Sequence, residues 1–198
     1  MQHLAGLNTK QEEAVLATLG PISVLAGAGS GKTRVLTTRI YHLIKEGTPP
    51  ERILAVTFTN KAAREMRERL ADIIHGGTLP FVATFHGLGR ELLQSYGRAI
   101  GVPRYFSVWD RDDSERAIKE ALKEMDIDPK EVPSRAILSR ISKAKGEGMT
   151  ANEFRAKHGG EGFRSRITGE VWLKYDAALE REKGLDFDDL IAKPVALL

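Results

Sequence analysis

Apolar residues follow two periodicities along the first hundred positions. Three short apolar runs have the length and composition of buried strands, at residues 22–26, 53–58 and 81–85. The segments after these runs repeat apolar residues every three or four positions, which predicts helices at 33–45, 60–74 and about 88–100. Because strands that alternate with helices form parallel crossovers, the pattern predicts an α/β fold with a parallel sheet.

From Asp110 onward the pattern predicts helices only. An apolar stripe marks the first of them, and a break at 126–133 follows it. Ser134 is expected to cap the next helix, and Thr150 has the capping-box spacing to Glu153. A last helix is predicted over 171–182, with Gly184 as its stop. The change of pattern places a domain boundary near residues 100–108.

The composition excludes some classes of site. The 198 residues are 41% hydrophobic and carry a formal net charge of +3, which permits a polyanionic partner without requiring one. The absence of cysteine excludes disulfides and thiolate zinc sites. No apolar run reaches the ~18 residues of a membrane span, and the start of the chain lacks the pattern of a secretory signal, so we expect a cytoplasmic protein.

The segment Ala-Gly-Ala-Gly-Ser-Gly-Lys-Thr at 26–33 stands between a predicted strand and a predicted helix. Its glycines let several backbone N–H groups face phosphate oxygens, and the following helix adds its positive end. Lys32 supplies a full charge, and the Thr33 hydroxyl stands where this loop class ligates Mg²⁺. The context favours nucleotide binding over a structural turn. The predicted phosphate-binding residues are Gly27, Ala28, Gly29, Ser30, Gly31, Lys32 and Thr33.

Four further segments decide among the classes of protein that use such a loop. They are Leu-Asn-Thr-Lys-Gln at 7–11, Thr-Phe-Thr-Asn-Lys-Ala-Ala at 57–63, Thr-Phe-His at 84–86 and Leu-Asp-Phe-Asp-Asp-Leu at 185–190. In this order they resemble the motifs of UvrD/Rep/PcrA-type superfamily 1 DNA helicases. The resemblance implies a RecA-like P-loop NTPase subdomain at 1–104, an all-helical insertion at 105–184 and a return segment at 185–198.

The resemblance also implies roles for single residues. Gln11 would pair with the adenine edge, Arg34 would lie near the adenine, and Lys32 and Thr33 would take part in catalysis. The residues that would contact single-stranded DNA are Phe58, Thr59, Asn60, Lys61, Thr84 and His86. Each has a structural alternative: an aromatic residue in the core, a helix cap, or a structural histidine.

The implied function is ATP-dependent translocation on single-stranded DNA, with 3′-to-5′ polarity, and unwinding at junctions with duplex. In the family, an Asp-Glu pair beyond the helical insertion activates water, and the chain stops before it. We therefore expect this chain to bind ATP but not to hydrolyse it efficiently. The alternatives are a stand-alone nucleotide-gated DNA-binding or interaction module, and a kinase, for which no acceptor pocket or base is identifiable.

The sequence leaves the role of two groups of charged residues in the helical part undecided. Arg135, Arg140, Lys143 and Lys145 form either a duplex-facing patch or a solvated face. The aspartates of segment 185–190 suggest a helix cap and domain contact rather than a metal site.

Overall fold

The computed structural model describes residues 2–128 and 130–197. Met1, Pro129 and Leu198, which belong to the predicted ranges 1–104, 126–133 and 185–198, lie outside the described residues. The chain forms two compact units, one up to Phe85 and one from His86 onward. The subdomain ranges that the resemblance implies divide the chain differently from these two compact units, and they stay a prediction.

The first unit is a mixed α/β unit. Its elements are α1 (Thr9–Leu16), α2 (Lys32–Lys45), β1 (Leu54–Thr57), α3 (Asn60–Ile74) and β2 (Phe81–Thr84). Strands β1 and β2 are parallel, with Leu54 opposite Phe81 and Thr57 opposite Thr84. The helix pattern of α3 buries Ala63, Met66 and Leu70 against this sheet and α2. The predicted strands at 53–58 and 81–85 and the helices at 33–45 and 60–74 are therefore confirmed.

The strand predicted at 22–26 was wrong. This segment forms no strand, and Val24 and Leu25 are 55% and 97% exposed. Within the described residues, β1 pairs only with β2, so no neighbouring strand supplies backbone partners for 22–26. Apolar side chains favour a strand, but hydrogen bonding to a second strand is what forms one.

The second unit is mainly helical. It contains α4 (Phe85–Tyr96, which begins at the end of the first unit), β3 (Ser107–Val108), α5 (Arg111–Glu124), α6 (Ser134–Gly146), α7 (Ala151–His158), α8 (Phe163–Arg181), β4 (Gly184–Leu185) and α9 (Asp189–Val195). Its largest core cluster joins α5, α6, α7 and α8 around Trp172 and Tyr175. Strand β3 pairs in parallel with β4, which corrects the expectation of helices only after Asp110.

The capping predictions had mixed outcomes. Thr150 and Glu153 form the expected capping box at the start of α7. Ser134 does not cap α6, because it is the first helical residue and Pro133 holds the cap position. The last predicted helix begins at Phe163, eight residues before position 171. It ends without help from Gly184, since Lys183 adopts the left-handed conformation and Gly184 is already in β4.

No helix among the described residues combines the length and the apolar character that crossing a membrane requires.

Candidate nucleotide and nucleic-acid sites

The loop at 26–33 turns directly into α2. Gly29 and Gly31 have φ angles of 74° and 80°, a left-handed conformation that side chains other than glycine's disfavour. Gly31 is also the N-cap of α2, and no side chain caps this helix. The first N–H groups of α2 therefore have no intrahelical or side-chain partner, and the helix dipole favours an anion there.

The polar side chains of the loop bond only to backbone carbonyls in the described structure. Lys32 Nζ donates to the carbonyl oxygens of Gly27 at 2.6 Å and Ala26 at 3.3 Å. Ser30 Oγ donates to the carbonyl of Gly27 at 2.7 Å. Thr33 is the second residue of α2 and is partly exposed. The ammonium of Lys32 is thus held over the loop by neutral acceptors, and no carboxylate of the described residues pairs with it.

Gln11 joins α1 to this loop. Its Oε1 accepts from the Asn8 N–H at 3.0 Å, as part of the capping box that begins α1. Its Nε2 donates to the Ser30 carbonyl at 3.0 Å. A Cβ added to Gly31 would lie 3.0 Å from the same Nε2, so glycine at this position allows the approach. The structure thus brings Gln11 to the loop, as its predicted role near the nucleotide requires.

Arg34 borders a cavity of about 300 Å³ on one side of α2. Its guanidinium donates to the Ala5 carbonyl at 3.0 Å. The cavity is lined by His3, Arg34, Thr37, Thr38, Tyr41, Arg69 and Ile73. Arg69 was missed by the sequence reasoning, because on α3 it reads as one of several exposed basic residues and only packing brings it to Arg34.

His3 and His42 lie beside this cavity as a pair. Their ring nitrogens, His3 Nε2 and His42 Nδ1, are 3.3 Å apart, and the rings stack at 5.4 Å. Burial, together with the neighbouring His42, lowers the pKa of His3 below its ordinary value. His3 therefore favours the neutral imidazole at this edge of the cavity.

The carboxyl ends of β1 and β2 bring two predicted DNA-contacting segments together. Thr57 and Thr84 are register partners, and both are buried. The next residues, Phe58 and Phe85, have ring centroids 5.5 Å apart, and Phe58 is 89% exposed. Phe58 is thus not a core residue, so the structural alternative to its predicted DNA contact does not apply. An exposed aromatic face at a sheet edge suits stacking on an unpaired base.

The other predicted DNA-contacting residues have different surroundings. Thr59 is the N-cap of α3 and accepts from the Ala62 N–H at 3.1 Å, so its structural role is present. Asn60 is exposed in the first turn of α3, and Lys61 is 81% exposed with Glu65 at 3.9 Å. His86, in the second unit, is exposed and meets the edge of Phe187 at 5.6 Å.

The basic patch predicted on α6 is smaller than expected. Lys145 is buried and ion-paired, so it is not part of any exposed face. Arg135 Nε lies 3.0 Å from Oε1 of the buried Glu115. Lys143 lies 4.0 Å from Glu147, and Arg140 is exposed. Helical spacing predicts which residues share a face, but Lys145 faces inward and meets carboxylates from a distant segment.

The aspartates of segment 185–190 form part of this buried group. Asp186 and Asp189 exchange side-chain-to-backbone bonds of 2.8 and 3.2 Å across the start of α9. The predicted cap is borne out only in part, because Asp188 holds the N-cap position of α9 and its side chain makes no capping bond. The predicted domain contact stays a prediction. In the part of the chain that the structure describes, no three histidine or carboxylate groups are arranged to hold a metal ion.

Comparison with known proteins identifies the family of this chain. Residues 7–198 match the model of the UvrD/REP helicase N-terminal domain. The proteins named ATP-dependent DNA helicase PcrA from Bacillus subtilis (strain 168) and Leuconostoc citreum are 44% and 42% identical to 99% and 97% of this chain. That of Staphylococcus aureus (strain Mu50 / ATCC 700699) is 40% identical to 96% of it. The chain spans 26% of the length of each relative. The chain therefore belongs to the UvrD/REP helicase N-terminal domain family.

Proposed function

We propose that this chain is the N-terminal, ATP-binding part of an ATP-dependent DNA helicase. The observation that carries the proposal is the loop at 26–33, where uncapped N–H groups of α2 and the ammonium of Lys32 lie together without a carboxylate. The relatives are named ATP-dependent DNA helicases, which supports this reading for the longer protein. We further propose that the first unit is part of a RecA-like domain.

The residues present fit a magnesium nucleotide. Two loop glycines leave room above the loop, since a Cβ at Gly27 or Gly29 would meet no atom within 4 Å. Lys32 would exchange its carbonyl partners for phosphate oxygens, a stronger charge-assisted bond. Thr33 would ligate Mg²⁺, which neutralises phosphate charge when bound. Gln11 and Arg34 would contact the adenine, and we assign the neighbouring cavity with Arg69 to the base and ribose.

Single-stranded DNA is the proposed second ligand. The exposed ring of Phe58 would stack on a base, and Asn60 and Lys61 would reach the phosphates beside it. Thr84 would act from the end of β2, and Thr59 would combine its capping role with a backbone contact. In the second unit, His86 would contact the strand. For the longer protein we propose 3′-to-5′ translocation and unwinding of junctions in repair or replication.

The isolated chain is proposed to bind ATP without hydrolysing it efficiently. Within residues 2–128 and 130–197, the bonds of Gln11, Ser30 and Lys32 go to backbone groups. A carboxylate that would orient the attacking water is not among these partners. Positioning of that water and stabilisation of charge on the γ-phosphate are the main contributions of such enzymes.

Calorimetry with Mg-ATP tests the proposal. The wild-type chain should bind ATP, and Lys32→Ala should lose most of this affinity. Lys45→Ala is the matched control, because it removes the same charge from the far end of α2. Absence of binding by the wild-type chain would refute the assignment.

A second measurement separates a helicase part from a kinase or a stand-alone module. Single-stranded oligonucleotide should bind with strong salt dependence, and Phe58→Ala should weaken it. A small-molecule kinase would ignore the oligonucleotide. If the native gene product ends where this chain ends and still responds to both ligands, the alternative of a nucleotide-gated binding module replaces the motor.

A further inference from the structure

The second unit buries a lysine between carboxylates from a segment 41 to 44 residues away. Lys145 Nζ, on α6, donates to Asp186 Oδ2 at 2.7 Å and to Asp189 Oδ1 at 3.0 Å. The three residues are 7%, 4% and 5% exposed. Burial disfavours the charged ammonium, but the two aspartates outweigh it and hold the pKa of Lys145 above its ordinary value. The lysine is therefore charged at neutral pH in the folded unit.

The two aspartates form the turn between β4 and α9. The side chain of each aspartate accepts a bond from the backbone N–H of the other. In addition, the carboxylate of Asp186 accepts a bond of 2.9 Å from the Tyr175 hydroxyl on α8. That hydroxyl also lies 2.9 Å from Ser114 Oγ on α5. Asp188, in the same turn, accepts from Ser142 Oγ on α6 at 3.0 Å. The turn is thus attached directly to α6 and α8, and through Tyr175 to α5. Lys145 makes its only buried ionic attachment among the described residues.

This turn presents an exposed aromatic residue. Phe187, between the paired aspartates, is 51% exposed. Its ring meets the ring of His86 edge-on, with centroids 5.6 Å apart and planes at 73°. Asp186 is held by buried bonds and Asp188 by a partly buried bond to Ser142, so Phe187 between them has little freedom to move away. The position of Phe187 against His86 is therefore set by the attachment of the turn rather than by burial of the ring itself.

The attachment of the 186–189 turn depends on the positive charge of Lys145. Asp186 and Asp189 are adjacent carboxylates, and burial raises the pKa of Asp189 although Lys145 opposes this. Lys193 lies 4.0 Å from Asp189, but its side chain is 41% exposed. Without the ammonium of Lys145, two buried carboxylates would repel each other within one turn. The turn would then open toward solvent and take Phe187 with it.

We propose that Lys145 is a positioning residue, which holds the 186–189 turn through Asp186 and Asp189 and thereby fixes Phe187 against His86. As regards DNA, the inference rests on the proposed function, because His86 belongs to the proposed contact surface. The structural part of the inference stands without it.

The experiment compares Lys145→Met with Lys143→Met in the full chain. Lys143 is the matched control, since it lies on the same helix, is 81% exposed and is 4.0 Å from its partner. The readout is the NMR shift of the His86 ring protons, which the ring current of Phe187 displaces. Phe187→Leu gives the reference without that ring. Lys145→Met should move the His86 signals toward this reference and weaken oligonucleotide binding several-fold, whereas Lys143→Met should change neither.

An unchanged His86 shift in folded Lys145→Met would overturn the proposal, since loss of stability alone does not displace that signal below the melting range. If Lys145→Met does not fold, Lys145→Gln is read in the same way, because its amide can still donate to one aspartate but does not neutralise the pair of carboxylates. The wild-type chain offers a test without variants: the amides of Asp186 and Asp189 should exchange slowly, and rapid exchange would contradict a held turn. If the wild-type chain ignores DNA but the His86 shift responds to Lys145→Met, the proposed function fails and the positioning role stands.

Discussion

Two lysines distinguish the two units of this chain. Lys32, in the first unit, is exposed and bonds only to backbone carbonyls of a glycine-rich loop. Lys145, in the second, is buried between two carboxylates. A charge that serves a ligand needs weak partners that it can exchange, whereas a charge that serves the fold needs strong partners that it keeps. The same side chain therefore has opposite surroundings in a candidate site and in a core.

The largest effect should come from removing the buried lysine. Lys145→Met leaves Asp186 and Asp189 buried without their cation, which should lower the free energy of unfolding by about 3–5 kcal/mol. Urea unfolding followed by circular dichroism measures this loss, with Lys143→Met as control. A loss below about 1 kcal/mol would mean that the buried pair stabilises no more than a surface pair does.

The opposite behaviour is expected at the loop. Lys32→Ala should reduce ATP affinity by about 10- to 100-fold, the equivalent of one charge-assisted bond, yet change the free energy of unfolding by less than about 0.5 kcal/mol. Calorimetry and urea unfolding of the same variant check both parts. If Lys32→Ala destabilised the chain as much as Lys145→Met does, the contrast between the two lysines would not hold.

The buried cluster should also give the second unit an unusual pH dependence. Burial raises the pKa of Asp176 to about 6, although the neighbouring Lys145 opposes it. The folded state then binds a proton more tightly than the unfolded state, so stability falls as pH rises from about 4 to about 6. Asp176→Asn keeps an acceptor for Trp172 and should be more stable than wild type by about 1–2 kcal/mol at pH 8, but not at pH 4.

Thermal or urea unfolding across this pH range tests the prediction. Asp72→Asn, on the exposed surface of α3, is the control for loss of a carboxylate without burial. An Asp176→Asn variant that is less stable than wild type at pH 8 would show that attraction to Lys145 outweighs the cost of burial.

The smallest effect concerns the loop glycines. Gly31→Ala places a Cβ 3.0 Å from Gln11 Nε2 in a left-handed conformation, which should cost about 1 kcal/mol and weaken ATP binding. Gly20→Ala is the control, because it has the same left-handed conformation outside the phosphate loop and a Cβ there meets no atom within 4 Å. A loss of ATP affinity as large in Gly20→Ala as in Gly31→Ala would mean that the effect is not specific to the loop.

The local sequence was sufficient for most helices and for the phosphate loop. The apolar periodicity of α3 predicted its ends at Asn60 and Ile74, since a 15-residue amphipathic helix carries its own pattern and cap. The loop was recognisable because its chemistry lies in consecutive residues. Family membership followed from the order of short motifs, each of which is also local.

Tertiary structure alone decided the features that need partners distant in sequence. Residues 22–26 have the composition of a strand but remain unpaired, because a strand requires a neighbour. The helical pattern of α6 does not distinguish Lys145 from an exposed lysine. Only the approach of Asp186 and Asp189 shows that its side chain is buried. Sequence patterns specify the face on which a side chain lies, whereas the packing of other segments determines what that face meets.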